Sequence, residues 1–238
     1  MKKTAVLLAA LTLILVFCHA CTQQKANKET VMQNTTPKKD VVKTSPTDSI
    51  FKNLDQTLSP FEDLTEFALS KNDKGIEKSL GKIENALKNN TFKQNLKPES
   101  IAELTKKIAT LKKYSTTKDY TKTALTSAEI FNHNVSNFKD AGKIANQIKI
   151  EHLDYLGFKI LALIAQKNIN WNEIAQSTTA VETIWKELAT NVKDPNLKAS
   201  FDLIFKGLHL SAKEKNKKML DIFANINLDL VDVLENTL

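Results

Sequence analysis

Three histidines could bind a ligand or act as acid–base groups beyond the leading segment of this chain: His133, His152 and His209. His152 lies on the apolar stripe of a predicted helix, four residues after Ile148 and four before Leu156. The first interpretation of this position is a buried, neutral histidine with one hydrogen-bond partner, and a ligand role is the second.

Two further positions are candidates for a metal ion. His133 follows Glu129 by four residues, so both side chains can face one side of a helix and hold a metal or form an exposed hydrogen bond. His209 adjoins Leu208 at the edge of a predicted stripe. The metal candidates are therefore His152, His133, Glu129 and His209, although the Glu-x-x-His pattern of bundle di-metal sites does not occur among them.

A haem site is the other cofactor hypothesis. Covalent attachment would need a Cys-x-x-Cys-His motif, which the chain lacks. A non-covalent site in a helical bundle could use His152 or His209 together with Met219. The primary prediction remains that the protein has no cofactor.

Acidic residues recur at three-residue steps near the carboxyl end, at Asp229, Asp232 and Glu235. Their spacing indicates one side of a helix, and the first interpretation is a solvated acidic edge. A calcium loop would need alternating oxygen ligands around a glycine, and no such loop occurs in the sequence.

The sequence contains no catalytic signature. There is no Gly-x-Ser-x-Gly motif, and the five glycines form no phosphate-binding loop. We therefore predict no enzymatic activity and name no catalytic residue. Trp185 falls on a core stripe, and Trp171, at the start of the same helix, is assigned to the core in preference to a partner-anchoring role.

The leading segment has the architecture of a secretory signal. Lys2 and Lys3 precede an apolar run over residues 5–17, and the segment closes with Cys18-His19-Ala20-Cys21. The apolar run is too short to cross a bilayer as a helix, which requires about 20 residues. We expect residues 1–20 to be removed as a signal peptide.

The pair Ala20-Cys21 resembles the cleavage box of bacterial lipoprotein precursors, whereas Cys18 and His19 depart from its usual pattern. The resemblance covers residues 1–21 and implies lipid, including palmitate, on Cys21 and attachment to a membrane. Cleavage without lipid is the alternative. Because Thr22 and Gln23 lack the aspartate that retains such proteins in the inner membrane, the resemblance favours the outer membrane of a bacterial envelope.

Composition limits the class of partner. Removal of Lys2 and Lys3 takes two charges from the formal +7 and leaves +5. Every basic residue is lysine, and arginine, which reads guanine and clamps phosphate, is absent, so we predict no nucleic-acid partner. No cysteine pair remains after Cys21, and the fold must be stabilised by packing without a disulfide.

The rest of the chain divides into a tether and a helical domain. Residues 21–49 are polar and include Pro37 and Pro46, which predicts a disordered tether behind Cys21. Residues 50–238 show helical periodicity throughout, with few glycines and prolines, and predict an all-α fold of about eight antiparallel helices.

The predicted helices are identified by their caps and apolar stripes. The first begins at the capping box Ser59-Pro60-Phe61-Glu62, and later ones begin at Pro98, at the cluster 115–117, at Asn170, at Asp194 and at Ser211. The stripes are Phe61, Leu64, Ala68; Ile76, Leu80, Ile83, Leu87; Ile101, Leu104, Ile108, Leu111; Ala124, Ala128, Phe131, Val135, Phe138; Ile144, Ile148, His152, Tyr155, Leu156, Ile160, Leu163, Ile164; Ile174, Thr178, Val181, Trp185, Leu188, Val192; Leu197, Phe201, Ile204, Phe205, Leu208; and Met219, Ile222, Phe223, Ile226, Leu230, Val233.

The two halves of the helical region, 50–139 and 140–238, also match each other. Apolar positions of the third and seventh helices correspond at an offset of 97, and those of the fourth and eighth correspond after one deletion. This pattern predicts two related four-helix units packed together.

Together these features predict a lipid-anchored, extracytoplasmic helical module that binds an envelope protein or a small ligand, without catalytic activity. A metal- or haem-binding bundle centred on His152 is the alternative.

Overall fold

A computed structural model describes residues 46–238. The predicted signal peptide, the lipidation site Cys21 and the tether up to residue 45 lie outside the described residues. The last four residues assigned to the tether, 46–49, instead form the first turn of a helix, with Pro46 at a position that needs no N–H donor.

The described part of the chain is all-α, as predicted. It contains nine α-helices and no strand: α1 (Pro46–Leu69), α2 (Asp73–Lys88), α3 (Thr91–Asn95), α4 (Ile101–Thr116), α5 (Tyr120–Ser136), α6 (Ala145–Ile164), α7 (Trp171–Leu188), α8 (Pro195–Lys213) and α9 (Lys217–Glu235). Single 3-10 turns, Pro98–Ser100 and Ala141–Lys143, precede α4 and α6.

The helices pack in two sets of four with the same pattern of neighbours. In the N-terminal set (α1, α2, α4, α5), the first helix contacts the second and fourth, and the third contacts the fourth. The C-terminal set (α6, α7, α8, α9) repeats these pairings, and α7 also contacts α8. Contacts of α6 with α5 and α1 join the sets, and a common hydrophobic core includes side chains of both.

The fourth helices of the two sets bury the same register. Five buried residues in and just after α5 have buried counterparts in α9 at a constant offset of 96: Ala124, Ala128, Phe131 and Val135 of α5 with Phe138 just beyond its end, and Leu220, Ala224, Asn227, Val231 and Leu234 of α9. Ile130 is an exception, because it is fully buried and its counterpart Ile226 is 39% exposed. The shared pattern of helix neighbours and the shared register of buried residues both agree with two related four-helix units. An origin by duplication stays a prediction.

Three of the tight turns between helices have one design. Lys71, Lys118 and Lys215 adopt left-handed φ angles of 56°, 55° and 54° and follow α1, α4 and α8. The next residue, Asn or Asp, donates its N–H to a carbonyl five residues back and caps the following helix with its side chain. This Schellman arrangement satisfies the last carbonyls of one helix and the first N–H groups of the next in three residues.

The predicted start of the first helix at Ser59 is wrong. α1 runs through Pro60 without a break, and the predicted cap residues lie in its interior. An internal proline costs about 3 kcal/mol, but Leu54 and Leu58, upstream of it, are each only 2% exposed. Burying each leucine contributes about 1.5–3 kcal/mol, so tertiary packing outweighs the local signal.

Three other local predictions are corrected. The polar segment before Pro98 contains α3, which is held by the buried ring of Phe92. Asp119, and not the 115–117 cluster, caps α5. Asn216, and not Ser211, caps α9.

The predicted stripe of α9 is wrong at three of its six positions. Ile222, Ile226 and Val233 are 40%, 39% and 48% exposed, whereas Ala224 and Asn227 are buried. The predicted stripe followed the largest apolar side chains of α9. The face of α9 that packs against the core lies to one side of that stripe. The caps at Asn170 and Asp194 and the deep burial of α6 are confirmed.

Candidate ligand-binding cleft

A cleft of about 360 Å³ opens where α1, α6 and α9 meet. Each helix contributes two carboxylates, at spacings that keep both on one helical face. These six side chains are Asp55 and Glu62 of α1, Glu151 and Asp154 of α6, and Asp232 and Glu235 of α9. The same wall contains Phe51, Leu54, Leu58 and Leu238.

Asp154 is the most unusual member of the cleft. Its side chain lines the cavity and the residue is only 6% exposed, yet it has no hydrogen-bond or ion-pair partner within the described residues. Its neighbour one turn back, Glu151, is 9% exposed and accepts a hydrogen bond of 2.8 Å from Nε2 of Gln147. A carboxylate in such a position normally requires a cation or donor, because an unpaired buried charge is costly.

The cleft concentrates carboxyl groups in a protein that is basic as a whole. Burial, reinforced by neighbouring carboxylates, raises the pKa of Glu62 to about 7 and that of Glu151 to about 8. The same causes raise the pKa of Asp154 well above its usual value, and that of Glu235 is raised as well. None of the residues lining the cleft in the described structure is a lysine, so no internal cation neutralises the cluster.

Within the described part of the chain, the geometry does not assemble a metal centre. In residues 46–238 no group of three or more His, Cys, Asp or Glu side chains is placed to hold a metal ion. The carboxylates instead share the wall of the cleft with apolar side chains. Such a surface suits an organic cation, whose charged and apolar parts both find partners.

The sequence-predicted ligands lie elsewhere and do not come together. Nδ1 of His152 lies 3.1 Å from Oδ1 of Asn132, and burial lowers the pKa of His152. Since the amide oxygen only accepts, Nδ1 is the donor. His209 is exposed, with Nδ1 3.6 Å from Glu182 of α7.

Glu129 and His133, expected to face one side of α5, have different partners. Glu129 accepts a hydrogen bond of 2.9 Å from the Tyr155 hydroxyl and lies 3.2 Å from Nζ of Lys159, which joins α5 to α6. His133 points to α4, with Nε2 3.2 Å from the carbonyl oxygen of Ser100.

The acidic edge predicted on α9 is exposed, and part of it lines the cleft. Asp229 is exposed and outside the cleft, whereas Asp232 and Glu235 belong to its lining. Of the two tryptophans, Trp185 is a core residue, 4% exposed, whose Nε1 donates to Asp202 at 2.6 Å. Trp171 is partly buried against the core.

Sequence reasoning missed Asp55, Glu62, Glu151 and Asp154 as site residues. One signal was available for the last two, because α6 is apolar on nearly all sides and buries thirteen of its residues. A carboxylate within such a helix has little chance of reaching bulk water. The convergence with α1 and α9 involves residues about 80–180 positions apart, and no local pattern encodes it.

No helix in the described part of the chain is long and apolar enough to span a membrane. Comparison of the chain with protein-family models, with curated proteins and with solved structures finds no match.

Proposed function

We propose that this protein is a lipid-anchored, non-catalytic binding module of the bacterial cell envelope, and that it takes up an organic cation in the cleft between α1, α6 and α9. The single observation that supports the ligand class is Asp154, a buried carboxyl without a partner that faces a cavity lined by five further carboxylates. An incoming cation supplies the missing counter-charge.

The anchor is proposed from the leading segment, in which Cys21 receives the lipid. Labelling cells with radioactive palmitate tests it, since label should enter the wild-type protein and not Cys21→Ser. Equal labelling of both proteins would contradict lipidation and leave the cleft proposal untouched.

The cleft is tested by adding simple cations to the purified protein at about pH 8 and low salt. We expect n-butylammonium, choline or putrescine to raise the unfolding temperature, because ligands that bind only the folded state stabilise it. Asp154→Asn keeps the shape of the side chain but removes its charge, and it should abolish most of the shift.

Asp229→Asn is the matched control. It removes the same charge from an exposed position of α9 outside the cleft, and the ligand-induced shift should persist. If no cation shifts the wild-type protein, or if both variants respond alike, the proposed function is wrong.

A further inference from the structure

The cleft carboxylates form an inner and an outer group. The inner group is Asp154, Glu151 and Glu62, which are buried or half-buried on α6 and α1. The outer group is Asp55, Asp232 and Glu235, which are exposed at the mouth on α1 and α9. A ligand with one charge could satisfy only one group.

Apolar side chains accompany the carboxylates along α1. Leu54 and Leu58 are one turn apart and nearly fully buried, and Phe51, one turn further toward the start of the helix, is 42% exposed. These three side chains form an apolar strip from the interior to the mouth of the cleft. The corresponding part of a ligand is a chain of methylene groups.

The charged groups of the ligand are best supplied by primary or secondary ammonium. An ammonium group carries several N–H donors, which match unpaired carboxylate oxygens such as those of Asp154. A quaternary ammonium has no N–H donor and is usually held by several aromatic faces. The described cleft presents a single aromatic ring, that of Phe51.

From this arrangement we infer that the ligand is a linear polyamine, with one ammonium among the inner carboxylates, another at the mouth and the connecting methylenes along the apolar strip. The inference rests on the proposed function, since it specifies the cation that the same cleft takes up. Two charges joined by a short chain bind more tightly than separate charges, because the second contact is intramolecular.

Isothermal titration calorimetry of the purified protein at about pH 8 and low salt tests this inference. The probes are n-butylamine, putrescine and spermidine, with one, two and three amines, together with choline and magnesium chloride. We expect affinity to rise about tenfold or more from the monoamine to the diamine and to rise again for the triamine. Choline should bind no better than n-butylamine, and an equal concentration of magnesium should not displace spermidine.

Two variants locate the amines. Asp154→Asn should weaken every amine in the series, because the inner ammonium is common to all of them. The double variant Asp232→Asn, Glu235→Gln should weaken putrescine and spermidine several-fold more than it weakens n-butylamine, because only the longer ligands reach the mouth.

The outcomes separate the two proposals. If n-butylamine or choline binds as tightly as spermidine in a manner that depends on Asp154, the polyamine inference is overturned while the proposed function stands. Displacement of spermidine by equal magnesium would also overturn the inference, since it would indicate charge screening at the surface. If none of the amines and ammonium ions binds, both proposals fail.

Discussion

A carboxyl group that is 6% exposed and unpaired, such as Asp154, holds its proton more tightly in the folded protein than in the unfolded chain. Glu151, one turn away, behaves similarly and has a pKa of about 8 in place of about 4.5. At neutral pH, then, the cleft carries less charge than its composition implies. A bound cation would favour release of these protons.

Stability should therefore depend on pH through these residues. Between about pH 5 and about pH 8 the folded protein binds more protons than the unfolded chain, so the free energy of unfolding falls as the pH rises. The contribution is fully present below the unfolded pKa of about 4.5 and is lost by about pH 8. Urea unfolding at fixed ionic strength measures this slope.

The double variant Glu151→Gln, Asp154→Asn should flatten that slope. At pH 8 we expect it to be more stable than the wild type by about 1–3 kcal/mol, since one unit of pKa corresponds to about 1.4 kcal/mol. Asp229→Asn, on the solvent side of α9, should leave the slope unchanged. A double variant that is less stable than the wild type at pH 8 would show that the carboxylates have partners that stabilise them.

At the scale of the helices, the cleft depends on the close approach of α6 and α9. A methyl group on Gly157 would lie 2.6 Å from Cδ2 of Leu228 and 2.8 Å from Nδ2 of Asn227. That amide is itself fixed, because Nδ2 donates to the carbonyl oxygen of Leu153 at 3.2 Å. Glycine at this position lets α9 bring its two carboxylates to the cleft.

Gly157→Ala should consequently push the two helices apart. We expect a loss of about 1–3 kcal/mol in urea unfolding, as for overpacked cores, together with weaker binding of putrescine. Gly81→Ala is the control, since nothing lies within 4 Å of its added methyl group. In an open helical position this change should stabilise by about 1 kcal/mol. Equal effects of the two substitutions would mean that helix propensity alone is being measured.

The turn between α8 and α9 offers a second test at this scale. Lys215 has a φ of 54°, a conformation in which a side chain is strained and glycine is not. Lys215→Gly should stabilise the protein by roughly 1 kcal/mol. Lys213→Gly, two residues earlier in the last turn of α8, should destabilise it by a similar amount. Urea midpoints that move in the same direction for both would contradict this account of the turn.

Local signals predicted some elements well and others poorly. Asn170 and Asp194 were identified as caps because each can accept N–H groups of its own helix, which needs no knowledge of the rest of the fold. The predicted stripe of α5, which is fully apolar, was also correct, because its spacing needs no knowledge of the rest of the fold. The predicted stripe of α9 was not correct throughout, because the buried face of this helix includes Ala224 and Asn227, while Ile226 is exposed.

On the scale of the whole molecule, the all-α class and the two four-helix sets followed from periodicity repeated over the chain. The cleft could not be predicted from this periodicity, because its carboxylates come from α1, α6 and α9 and therefore from both sets. Asp232 and Glu235 were recognised as a pair on one helical side. Their place in the lining of the cleft could be seen only once α1 and α6 were placed beside them.

The same arrangement makes the cleft depend on the coupling of the two sets. Both tryptophans, Trp171 and Trp185, lie in α7, so their fluorescence reports on the C-terminal set, whereas far-UV circular dichroism reports on all the helices. A common core and the ion pairs of Lys159 with Glu129 and Glu173 connect α5, α6 and α7. We expect urea unfolding followed by the two signals to give coincident curves, as in a single cooperative transition.

Lys159→Met sharpens this last test. It removes the cation between two carboxylates while keeping an unbranched apolar side chain, and it should lower both urea midpoints together, with a loss of about 1–3 kcal/mol in the free energy of unfolding. Separate midpoints in the wild-type protein would instead show that the sets unfold independently. The cleft would then open whenever either set unfolds, and ligand binding would stabilise both sets at once. Adding putrescine should in that case bring the two curves together.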